Sequence, residues 1–95
     1  MKPTILRGAY YTSVVRFKPD NRFIVDAVRL LAGPFEAEPI ARGYVEPCRT
    51  IAEEIDVRAH WYGFGTVRVR SFSRRRPGLL NAQLGLPVTI EDPWR

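Results

Sequence analysis

From Ile5 to Phe17 the chain is rich in Tyr, Val, Thr and Phe, residues that fit a pleated surface, and the run predicts a β-strand. Lys18-Pro19-Asp20-Asn21 follows as a turn, because proline presets one dihedral and Asx side chains favour reversal. Arg22 to Leu31 reads two ways. As a strand, Phe23, Ile24, Val25 and Val28 complete a hairpin with the first run. As a helix, Asp20 or Asn21 caps the start, Gly33-Pro34 ends it, and Phe23, Ala27, Leu30 and Leu31 share a face. The strand is the preferred reading.

Glu36 to Ile55 places Ile40, Tyr44, Cys48, Ile51, Ala52 and Ile55 three and four apart, an amphipathic helix face. Pro47 has no N–H to donate and crowds the preceding turn, so a break is expected near Gly43 to Glu46. The better helix then runs from Pro47 to Ile55, with Tyr44, Cys48 and Ile51 in the core. Val57 to Ser73 reads as β-structure bent at Gly63-Phe64-Gly65. Pro77-Gly78 marks a turn, Leu79 to Leu84 one helical turn ended by Gly85, Leu86 to Ile90 a last short strand, and Glu91 to Arg95 a tail. The expected fold class is α+β: a small antiparallel sheet, built from an N-terminal hairpin plus C-terminal strands, packed against one or two short helices.

Length bounds this picture. Ninety-five residues make one domain spanning 1–95, with little core to spare for a cofactor cavity. The basic turn 74–78 and the tail 91–95 are its expected flexible parts. No apolar run reaches the roughly 20 residues of a bilayer crossing, and the longest, Phe23 to Ala32, is interrupted by Asp26 and Arg29. The start, Met1-Lys2-Pro3-Thr4, lacks the apolar core of a signal peptide, and the single cysteine, Cys48, forms no internal disulfide. A reducing, cytoplasmic compartment is the expectation.

Charge changes the picture more. The net charge is +5, and all basic residues but Lys2 and Lys18 are arginine, whose planar fork suits phosphates, carboxylates and base edges. A GC-rich genome, which favours arginine codons, is the simpler and preferred account of the arginines. Residues 1–35 carry a net of +4, residues 36–56 a net of −4, and residues 57–90 a net of +6 with no acid at all.

Strand alternation over 57–73 puts Val57, Ala59, Trp61, Val67 and Val69 on one face. The other face receives Arg58, His60, Tyr62, Phe64, Arg68, Arg70 and Phe72, and Arg74, Arg75 and Arg76 extend the basic track. Rings that stack bases, interleaved with arginines that hold phosphates, suit single-stranded RNA or DNA. A bland alternative is an exposed face on which arginine stems shield aromatic rings. A third is a register shift at the glycines that splits the face. Gly63-Phe64-Gly65 lacks the flanking Lys/Arg-Gly-aromatic-Gly/Ala-Phe-Val pattern of an RNA-recognition motif.

The inventory argues against most enzymes. With one histidine, His60, and one cysteine, no zinc site built from those residue types is expected. Glu53, Glu54 and Asp56 read as a solvated helix end, and no glycine-rich phosphate loop is present. A metal-independent ribonuclease using His60, Tyr62, Arg68 and Arg70 is the one class that survives. The expectation is a non-enzymatic binding protein without cofactor or metal, acting on nucleic acid. The alternative is a protein-interaction module, such as a phage- or mobile-element-type inhibitor or assembly factor. It would be anchored by Trp61 or Trp94, Tyr10, Tyr11 and arginines on an acidic protein surface, or paired as a homodimer through the acidic 36–56 segment.

Overall fold

A computed structural model describes residues 8–70 and 76–89, with the side chains of 22–24 excepted. Strand β1 (Tyr10–Lys18) turns at Pro19-Asp20 into β2 (Asn21–Phe35), and Lys18 pairs directly with Asn21. Strand β3 (Gly63–Arg68) lies antiparallel on the other edge of β1, giving the order β2-β1-β3. The segment 22–31 is therefore strand, and it runs on to Phe35. Gly33-Pro34 does not end it. Gly33 sits at φ +124, open to a residue without a Cβ, and the pairing skips from Thr12–Ala32 to Tyr10–Phe35 around the irregularity.

Two short helices form the second layer, α1 (Glu38–Gly43) and α2 (Val45–Ile55), separated at Tyr44. The break falls where Pro47 requires it, because a proline is tolerated only in a first turn. Cys48 is fully buried against Leu31, Ala32 and Leu80, and Tyr44, Ile51, Val14 and Phe64 close round this core. The outer members of the predicted stripe, Ile40 and Ile55, are exposed. Thr12 ties the layers together by donating its hydroxyl to the Ala41 carbonyl at 2.6 Å. None of the helices among the described residues is long and apolar enough to cross a membrane.

The C-terminal segment docks on the free edge of β2. The N–H groups of Gly78, Leu79 and Leu80 donate to the carbonyls of Gly33, Leu30 and Leu31 at 3.1, 2.9 and 2.8 Å. A Cβ on Gly78 would stand 2.5 Å from the backbone of Ala32, so only glycine permits this approach. Arg76 enters beneath Tyr11, whose hydroxyl donates to its carbonyl at 2.6 Å and accepts its N–H at 3.0 Å. The helical turn at Leu79 to Leu84 forms, with Leu84 N–H donating to Leu80 at 3.0 Å, and Gly85 ends it at φ +73. The expected strand over 86–90 does not form over 86–89. Pro87 has no N–H for a ladder, and its carbonyl is taken by the Asn81 side chain at 2.7 Å. Ile90 and the tail 91–95 lie outside the described residues.

Burial raises the Cys48 thiol to about 11. With so little thiolate at pH 8, native Cys48 should react with a disulfide reagent roughly a hundredfold more slowly than an exposed thiol. Reaction in urea should be fast. Fast labelling without denaturant would contradict its place in the core.

Candidate nucleic-acid interface

The alternating face expected over 57–73 does not form as drawn. Val57–Trp61 is a 3₁₀ turn rather than strand, and β3 begins only at Gly63. Asp56 causes the difference, because its carboxylate accepts the Arg58 N–H at 2.9 Å and starts a helical turn. The same carboxylate takes the Arg58 guanidinium at 3.2 Å and the Tyr62 hydroxyl at 3.0 Å. The Arg58 hydrogen bonds, aided by Tyr62, hold its pKa down to about 2. Asp56 is thus ionised at any ordinary pH, and Tyr62 is held at one end of β3.

The other expected residues separate. His60 turns its Nδ1 to the Val57 carbonyl at 2.8 Å and packs on Trp61. Phe64 lies against the core, with the Arg49 guanidinium 5.2 Å from its ring centre, so it is no free stacking platform. Arg68 covers Tyr10 at 5.8 Å, and Arg70 follows β3, exposed. Arg76 is fixed near Tyr11. Phe72, Arg74 and Arg75 lie outside the described residues.

The charges sort by layer. Glu38 accepts from Arg42 at 2.8 Å and from Thr66 at 2.8 Å, which holds its carboxyl below the usual range. Glu46 pairs with Arg49 at 2.6 Å, and Asp56 with Arg58. Half the carboxylates of the acidic segment are therefore matched inside the helical layer, beside their own arginines. On the sheet and the C-terminal segment that docks on it, Arg29, Arg68, Arg70 and Arg76 have no carboxylate partner among the described residues.

Beside the helices, the β1–β2 ladder carries a cleft of about 170 Å³ lined by Val14, Arg16, Ala27, Arg29 and Tyr62. The register explains it. Val14 pairs with Arg29 and Arg16 with Ala27, so these four share one face. Two small apolar side chains make the floor, two arginines stand diagonally across it, and the Tyr62 ring closes one side. Neither Arg16 nor Arg29 was among the expected site residues. Period-two alternation along both arms of the hairpin was the signal for them, and it was unusable while 22–31 remained ambiguous.

A separate apolar corner lies where α2 ends. Ile55, Val57 and Trp61 are 68, 82 and 60% exposed, an unusual concentration for a chain this small. Among the described residues no three His, Cys, Asp or Glu side chains converge on a metal position. Comparison with protein-family models, with curated proteins and with solved structures finds no match to this chain.

Proposed function

We propose that this chain is a small non-enzymatic binding protein for single-stranded nucleic acid, acting in the cytoplasm. The observation that carries the reading is the separation of charge. Half the carboxylates of the acidic segment are paired with arginines of the same part of the chain, while Arg29, Arg68, Arg70 and Arg76 have no carboxylate partner among the described residues. Unpaired arginines lose little by binding phosphate and release counterions from the strand when they do. Tyr62, just before β3, adds an aromatic side chain beside one of these cations, Arg29.

The double variant Arg68→Glu/Arg70→Glu tests it against labelled single-stranded RNA and DNA. Both residues lie away from the core, so folding is preserved. Affinity should fall on the order of tenfold or more, and the salt dependence should flatten by about 0.7 per lost contact. Glu53→Gln/Glu54→Gln, on the helical layer, should bind as tightly as the unaltered protein or more so. Unchanged binding by the arginine variant sinks the reading.

A protein-interaction module is the second reading, favoured by the exposed Ile55, Val57 and Trp61. Tryptophan is enriched among the residues that dominate interfaces. Exposed Glu53 and Glu54 beside them suit a basic partner.

A further inference from the structure

We infer that the cleft between Arg16, Arg29 and Tyr62 is a site for one nucleotide of a single strand, with Asp26 acting as its built-in competitor. This rests on the nucleic-acid reading and narrows it to a place and a mode. The floor of Val14 and Ala27 with the Tyr62 ring offers apolar and aromatic surface to a base. Asp56 holds the tyrosine by its hydroxyl, so its ring is positioned before any ligand arrives. Arg29 stands across the floor and, among the described residues, donates only to the neighbouring Val28 carbonyl, at 3.0 Å. Its remaining N–H groups suit a phosphate. A space of about 170 Å³ on a sheet surface admits a splayed nucleotide and no duplex.

Asp26 gives the site its distinctive property. The pairing passes from Arg16–Ala27 to Phe17–Val25, so Asp26 is the extra residue of a bulge. Bulges re-aim side chains, and here the Asp26 carboxylate meets the Arg16 guanidinium at 2.7 Å, with both side chains part-exposed. A phosphate entering the cleft competes with that carboxylate for Arg16. Removing the carboxylate should therefore tighten binding, a gain that damage to the fold does not produce.

The test is a titration of the full chain with a short labelled oligothymidylate, a nucleoside monophosphate and inorganic phosphate, followed by anisotropy and by backbone amide NMR. Asp26→Asn should raise oligonucleotide affinity about threefold, the equivalent of a freed exposed ion pair, and steepen its salt dependence by about 0.7. Arg29→Ala should weaken it about tenfold or more. The monophosphate should move the amides of Val14, Ala27 and Arg29 at concentrations where inorganic phosphate does not. If the unaltered protein binds the oligonucleotide but Asp26→Asn and Arg29→Ala bind it equally well, the cleft is not the site and only the broader reading survives. If inorganic phosphate matches the nucleotide, the cleft is an anion site and the nucleotide assignment fails. If the oligonucleotide does not bind at all, both fall together.

Discussion

Replacing Asn81 with leucine is expected to remove about 2–4 kcal/mol of stability. Asn81 is 1% exposed, and its amide makes three hydrogen bonds to main chain. The oxygen accepts the Gly33 N–H at 3.0 Å, and the nitrogen donates to the carbonyls of Gly33 and Pro87, both at 2.7 Å. The Gly33 carbonyl keeps a second donor, the Gly78 N–H at 3.1 Å. The Gly33 N–H would be left buried and unpaired at about 1–3 kcal/mol, and the half-buried Pro87 carbonyl would lose a bond worth about 0.5–1.5 kcal/mol. Leucine is close in volume, so the loss comes from polarity rather than from a cavity. Against the roughly 5–15 kcal/mol that holds a typical domain together, the change should move the urea midpoint far down or unfold the chain. Far-UV circular dichroism across a urea series measures it. Asn81→Asp keeps the acceptor but sets a carboxylate oxygen against the Gly33 and Pro87 carbonyls, so at neutral pH it should destabilise at least as much as leucine. A leucine variant that unfolds at the original midpoint would mean that the C-terminal segment is not clamped to the Gly33-Pro34 irregularity.

Asn81 also marks where reading the sequence stopped. The hairpin, the broken helix at Tyr44 and the burial of Cys48 were legible, because each depends on local chemistry: turn residues, a proline, a three-and-four spacing. The return of the C-terminal segment to the edge of β2 was not legible. A long-range contact through one asparagine and one tight glycine leaves no periodic trace. The candidate site was legible in composition but not in geometry. Arginine and aromatic side chains alternate in the sequence over 57–73, yet Asp56 winds the first five residues into a 3₁₀ turn and breaks the alternating face expected there. A side-chain cap outweighed strand propensity in Val57 to Trp61, and no spacing rule registers that competition. Tyr62 and Phe64 then part company, one beside the cleft and one in the core. Arg16 and Arg29, 13 positions apart in sequence, meet only through the β1–β2 register.

Binding should lose roughly fiftyfold in affinity between 50 and 200 mM salt, the second large effect. Four cations, Arg29, Arg68, Arg70 and Arg76, are free of carboxylates among the described residues. Arg16 is left out of the count because Asp26 holds it at 2.7 Å. At about 0.7 counterions per contact on a single strand, four contacts give a log–log slope near −3. The acidic helix weakens this little, since its Glu38, Glu46 and Asp56 already face arginines at short range. If the negative charge of α1 and α2 were instead open to the strand, repulsion would hold affinity low even in dilute salt.

The measurement that decides is fluorescence anisotropy of the full chain with labelled single-stranded RNA, single-stranded DNA and duplex DNA, repeated at several salt concentrations. Saturable binding at 50 mM salt, preference for a single strand over duplex, and a slope near −3 are expected. Absence of binding at 50 mM, or a duplex bound as tightly as a single strand, would contradict the single-strand reading. The exposed Ile55–Val57–Trp61 corner would then become the surface to follow.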